Sequence, residues 1–163
     1  MRRLSVGQRL YFSVMAVFLI FAAGFIIFQQ IRERQYKVEL FNTRLQDFNR
    51  MLFLDMLEKG TWQDSTLQAY IDRRNIKGIR VTLIRPDGRV IFDNKKKDYL
   101  KFANHKGRPE VRRALSTGQG FAVERNSTTT KVAYFYSATY FKSCHLIVRS
   151  AMPYDNDLVR QLT

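Results

Sequence analysis

The chain opens on an unbroken apolar run. Leu10 to Phe28 reads LYFSVMAVFLIFAAGFIIF, nineteen residues without a charge. As a helix this is roughly 28 Å at ~1.5 Å per residue, close to the ~30 Å hydrocarbon core of a bilayer. A buried core helix is rarely apolar on every face over such a length. A cleaved signal peptide has a shorter apolar region. The pattern predicts a short tail over 1–9 and an uncleaved membrane helix over 10–29.

The period then changes. From Gln30 to Leu57 there is neither Pro nor Gly, and Ile31, Val38, Phe41, Leu45, Phe48 and Leu52 recur at three- and four-residue spacing. This predicts a long helix continuing from the membrane span. Its stripe serves packing on the chain's own domain or a homodimer seam, since Val38, Phe41, Leu45, Phe48 and Leu52 also fit a heptad. Gly60 closes the helix. A second one starts at Asp64 or Ser65 and runs to about Arg74, with Leu67, Tyr70 and Ile71 inward.

Alternation follows. Ile79–Ile84 and Arg89–Asp93 read as strands joined by Arg85-Pro86-Asp87-Gly88, where Pro fixes φ and Gly accepts a positive one. Asn94–Gly107 is polar and basic, a loop or lid. Arg108-Pro109-Glu110-Val111 opens a short helix with Pro in its first turn, ending near Gly118. Phe121–Glu124, Val132–Phe141 and His145–Met152 read as three more strands. Asn126–Thr130 is the turn between the first two, and Asn126-Ser127-Thr128 matches a glycosylation sequon. Tyr154–Thr163 reads as the start of an exit helix. The predicted class is α+β: a membrane helix running into a long helix packed on a five-stranded antiparallel sheet, with the folded domain over 30–153.

Composition narrows the partners. Thirteen Phe and eight Tyr exclude disorder, and the single cysteine, Cys144, excludes an intrachain disulfide framework. Net charge is +14, with the basic excess between Arg73 and Arg113. Such a balance calls for nucleic acid, an anionic lipid surface or an anionic ligand. Arg2, Arg3 and Arg9, with no acid among them, predict a cytoplasmic N-terminus and an outward-facing domain. Nucleic acid is then excluded, and no helix-turn-helix, RNP or zinc-finger pattern speaks for it. Lys95-Lys96-Lys97 reads as a solvated loop or as a contact with lipid headgroups or an acidic partner.

Candidate chemistry is sparse. His105 and His145 are not spaced with carboxylates or cysteines as a metal motif, and no GxSxG, phosphate loop or HExxH occurs. No catalytic residue, cofactor or metal is expected. A binding pocket fits better. Tyr134, Tyr136 and Tyr140 share one strand face, while Ala133, Phe135 and Phe141 share the other. Arg149 lies on the face of Ile147 and Ala151. A lone arginine there needs a partner or a wet cavity. It either pairs with an acid such as Glu110 or Glu124, or grips a small anion. In the second case Arg108 or Arg112 sits above the sheet, with the hydroxyls of Tyr134 and Tyr136 alongside.

One ordered set of motifs goes further: IRVTLIRPDGRVIFDN over 79–94, NHKGRPEV over 104–111, Ala114, Gly118, and IVRSAMP over 147–153. It resembles the extracytoplasmic sensor region of membrane-bound sensor histidine kinases of the phosphate-regulon type, across nearly the whole chain. The resemblance implies a PAS-like (Cache, or PDC) sheet behind a long N-terminal helix, a homodimer, and a bacterial inner-membrane protein with its main domain in the periplasm. It also implies a second span, a HAMP linker and kinase domains acting on a response regulator. The sequence stops at Thr163, before all of these, so it reads as a sensor fragment whose kinase activity is expected elsewhere. Because one fold serves many outputs, a chemoreceptor input domain and a membrane-anchored interaction domain without a ligand stay open.

Overall fold

The structure, a computed structural model, describes residues 5–125 and 133–154, with backbone alone at 124 and 125. The chain divides into two compact units, Met1–Glu39 and Leu40–Thr163.

The first unit holds most of helix α1 (Val6–Lys59). Ser5 and Gln8 form a reciprocal cap at its start. Gln8 N donates to Ser5 Oγ at 3.3 Å, and Ser5 N donates to Gln8 Oε1 at 3.0 Å. Among the described residues, α1 is the one helix long and apolar enough to cross a membrane, and its apolar stretch is uncovered by protein. A core helix of a soluble protein would be covered.

The second unit is a helix-and-sheet sandwich. Strands β1 (Arg80–Ile84), β2 (Val90–Asp93), β3 (Gln119–Arg125), β4 (Ala133–Phe141) and β5 (Leu146–Tyr154) form one antiparallel sheet in the order β2-β1-β5-β4-β3. Helix α2 (Asp64–Arg74) follows α1, and helix α3 (Pro109–Thr117) precedes β3. The α+β class, the five strands and the long N-terminal helix are as expected from sequence.

The α1 stripe packs inward. Phe41, Leu45, Phe48 and Leu52 are buried, and Leu52 is fully so. Phe41 meets Phe135 of β4 at 5.8 Å and Tyr154 of β5 at 5.5 Å between ring centroids, and Phe53 stacks on Phe141 at 3.8 Å. The stripe therefore has its partner in the chain's own sheet. These side chains are already removed from water within the single chain. Val38 is half-buried.

Two strand boundaries differ from the sequence reading by two residues and the others by at most one. Strand β3 starts at Gln119, directly after α3, because Gln119 pairs with Thr139. Tyr154, assigned to an exit helix, instead ends β5 opposite Ala133. Pro153 is tolerated there because β1 stops pairing at Arg80↔Ala151, so one side of β5 has no ladder to interrupt. The remainder of the expected exit helix, the sequon and the 126–130 turn lie outside the described residues.

Two glycines set the geometry that matters for the site. Gly88, at φ 91°, closes the β1–β2 turn by donating to Arg85 O at 2.8 Å. A Cβ there would also lie 2.0 Å from Asn104 Oδ1. Gly120 of β3 lets α3 rest on the strand backbone, since a Cβ would lie 2.3 Å from Glu110 O and 2.9 Å from Ala114 N.

Candidate functional site

The sheet face opposite α1 has two halves. One is apolar, with Ile84, Val90, Val111, Ala114, Ala138 and Ile147 buried together beneath α3. The other is charged, and alternation puts its members there: Arg80 and Thr82 on β1, Asp93 on β2, Arg149 on β5.

These side chains form one chain of contacts. Arg149 Nη1 donates to Glu110 Oε1 at 3.2 Å, and both residues are buried. Arg149 Nη2 donates to Thr82 Oγ1 at 3.3 Å. The Thr82 hydroxyl passes its own hydrogen to Asp93 Oδ2 at 3.0 Å, which also accepts from Arg80 Nε at 2.9 Å. The network thus ties α3, β5, β1 and β2 together. Burial pulls the Arg149 pKa down and Glu110 opposes it; the guanidinium stays charged. The Arg149 Nε is buried without a hydrogen-bond partner.

The 94–108 segment closes over this half. Asn94 joins it to β1, donating its side-chain amide to Ile79 O at 3.2 Å and accepting from Val81 N at 2.8 Å. Asn104 Nδ2 donates to Asp87 O at 2.8 Å, and His105 N donates to Gly88 O at 2.9 Å. The lid is therefore pinned to the hairpin turn. Beneath it lies a hollow of about 250 Å³ lined by Arg80, Lys96, Phe102, Ala103, His105, Arg108, Tyr136 and Arg149. Phe102 carries the Arg80 guanidinium at 5.7 Å and Lys96 Nζ at 5.9 Å from its ring centre, and Tyr136 carries Arg149 at 5.2 Å.

His105 is buried in this wall, and its pKa falls to about 4. Burial is the largest cause, followed by the fields of Arg149, Arg108 and Arg80; Asp93 opposes them. The ring is neutral at pH 7, so four cations face two carboxylates, Glu110 and Asp93, at the site. Such a wall suits a small anion.

Of the residues singled out from sequence, Arg108, Tyr136 and Arg149 meet in this hollow. Tyr134 lines an adjoining one of about 410 Å³ that shares Arg80 and Tyr136. Arg112 is exposed and lines neither. The paired reading of Arg149 holds, with Glu110 as the acid. Arg80, Lys96, Phe102 and His105 were missed. Strand parity alone could have found Arg80, which sits two residues before the inward Thr82; the other three lie in a segment without periodicity. A further hollow, about 370 Å³ beside Trp62, Cys144 and His145, is lined with no acid and one arginine, Arg85. Among the described residues no cluster of His, Cys, Asp and Glu is arranged to hold a metal.

No protein-family model and no curated protein matches this sequence. Solved structures do match. One is described as a Cache chemosensory domain, in work on carboxylic acid recognition. It is 10% identical, has a TM-score of 0.47, and the match covers 70% of this chain and 91% of that one. Another is the periplasmic sensor domain of a chemotaxis protein, 15% identical, with a TM-score of 0.46 and coverage of 77% and 98%. At these values the likeness is one of chain path. The fold assignment here rests on the strand order and register given above.

Proposed function

We propose that this chain is the extracytoplasmic signal-input domain of a membrane-anchored receptor, of the sensor-histidine-kinase type, and that the lid-covered hollow receives a small anion. The observation that carries the reading is the make-up of α1. A single helix holds both the uncharged stretch suited to a bilayer and the Phe41–Met56 side chains of the core. A change in the sheet domain therefore has a covalent helical route toward the membrane. The basic hollow supplies a place for such a change to begin. The periplasmic placement, the inner membrane, the homodimer and the kinase output follow from the sequence resemblance and form part of the proposal.

Two measurements test it. The full chain in detergent micelles should gain thermal stability with phosphate, sulfate or acetate once the anion exceeds its Kd. Lys96→Ala, an exposed change at the mouth, should weaken that gain; no gain with any anion removes the ligand site. In a receptor that joins this chain to its kinase, deleting one residue within Gln29–Ile31 turns the helix by ~100°. Output that survives unchanged would sink the helix route.

A second reading, an interaction domain without a ligand, is favoured by the Arg149–Glu110 pair itself, because the arginine already has an acid. The same anion titration separates the two.

A further inference from the structure

The hollow contains a group that the anion-pocket reading leaves unused, the imidazole of His105. We propose that binding of an anion in this hollow is coupled to uptake of a proton by His105, so that the site reports acidity and anion concentration together. This rests on the anion-pocket reading above.

The geometry supplies the coupling. His105 is fixed at its backbone, donating to Gly88 O at 2.9 Å and accepting from Arg108 N at 3.0 Å. The residue is 8% exposed, its ring centre lies 6.1 Å from that of Phe102, and its Nδ1 is buried without a hydrogen-bond partner. The charges around it come from every element of the site. Arg149 belongs to β5, Arg80 to β1, Lys96 to the lid, and Arg108 stands just before α3, which carries Glu110; Asp93 of β2 favours an imidazolium. In the empty hollow, burial and three guanidinium groups hold the ring neutral.

An anion seated among the same residues changes this balance. Arg80, Arg108 and Arg149 line the hollow together with His105. A negative charge there offsets the field that keeps the proton away, which raises the affinity of the imidazole for a proton. By reciprocity, the protonated ring raises the affinity for the anion by the same factor. The sign is fixed: affinity rises as pH falls from the bound-state pKa toward about 4, the value of the empty site. One proton limits the slope to about tenfold per pH unit. An oxyanion at neutral pH would be held weakly, and the same oxyanion in an acidified compartment more tightly.

The test uses the full chain in detergent micelles and sulfate as the probe, because sulfate keeps its charge across this range and any pH dependence belongs to the protein. Titration calorimetry near pH 5.5, in two buffers of different ionisation enthalpy, counts protons taken up per anion bound. The expected result is fractional uptake, with sulfate affinity rising several-fold between pH 7 and 5. His105→Gln should bind sulfate with a flat pH profile and no uptake. If that variant does not fold, proton NMR of the two histidines in the native chain serves instead. The pKa of buried His105 should move up with sulfate. Sulfate binding without proton uptake overturns the coupling while sparing the anion pocket. Uptake that persists in His105→Gln also overturns it, and assigns the proton to another group. No sulfate binding at any pH refutes the pocket and the coupling with it.

Discussion

The two faces of the sheet solve the same burial problem with different chemistry. Under α1, the polar groups are neutral. Asn49 Nδ2 donates to Ser137 O at 3.2 Å and Thr139 Oγ1 at 3.3 Å, Ser137 Oγ donates to Asn42 Oδ1 at 3.0 Å, and Ser150 Oγ donates to Leu45 O at 3.4 Å. Under the lid and α3, charged groups are buried as well, Arg149, Glu110 and Asp93, beside neutral Thr82 and His105. On the α1 face small amides and hydroxyls suffice to pin the long helix. A short helix and a loop leave a hollow, and ions can persist beside it because they face one another and a wet cavity. The neutral face fixes the helix; the charged face leaves room for something to bind.

This contrast can be broken by substitution. The largest effect is expected for Glu110→Ala, which leaves Arg149 charged, buried and unpaired. Loss of a partner in a buried pair costs about 3–5 kcal/mol, to be read from chemical denaturation. Replacing both partners at once, Arg149→Met with Glu110→Leu, should recover most of that while abolishing anion binding. On the other face, Asn49→Ala removes two neutral hydrogen bonds from a fully buried site. The expected loss is about 1–3 kcal/mol. If Asn49→Ala proves as damaging as Glu110→Ala, the distinction between the faces fails.

A smaller effect is expected from acid, moderated by solvent at the mouth of the hollow. The folded His105 pKa is about 4, below its ordinary 6.5. Between those values the unfolded chain takes up a proton that the folded chain does not. Stability should therefore fall as pH drops through this window and level off below it. Thermal melts of the native chain and His105→Gln should diverge there and agree above pH 7. Smallest of all, Lys59→Ala removes an exposed i,i+4 pair with Asp55. It should leave the melting temperature within error.

Much of the fold is legible in the residues because pattern and local chemistry agree. Arg85-Pro86-Asp87-Gly88 between two β-branched runs can only turn, and the structure closes it at Gly88. Pro109 opens α3 in its first turn, as the sequence predicts. The end of β5 was misread because Pro153 argues against a strand, and only the sheet order shows that its neighbour on that side has already stopped. The α1 stripe was legible as a stripe, but spacing alone does not say whether a sheet or a second helix covers it. In the site, Arg149 announced itself as a charge in an apolar strand. His105 and Lys96 did not, because they reach the hollow through a segment whose path is set by Asn94 and Asn104 side-chain hydrogen bonds, which leave no period to read.

Gly120 bears on how genetic variation in this protein should be interpreted. It is not among the residues lining the hollow, yet the backbone of α3 rests directly on it, at the level of Glu110 and Ala114. Any heavier residue lifts the helix that supplies the acid. A Gly120→Ala variant should therefore resemble Glu110→Ala, with reduced stability and weakened anion binding, although it carries no charge and lies on an edge strand. A screen for variants with lowered stability would recover it beside the network residues, and distance from the hollow would be a poor guide to its rank.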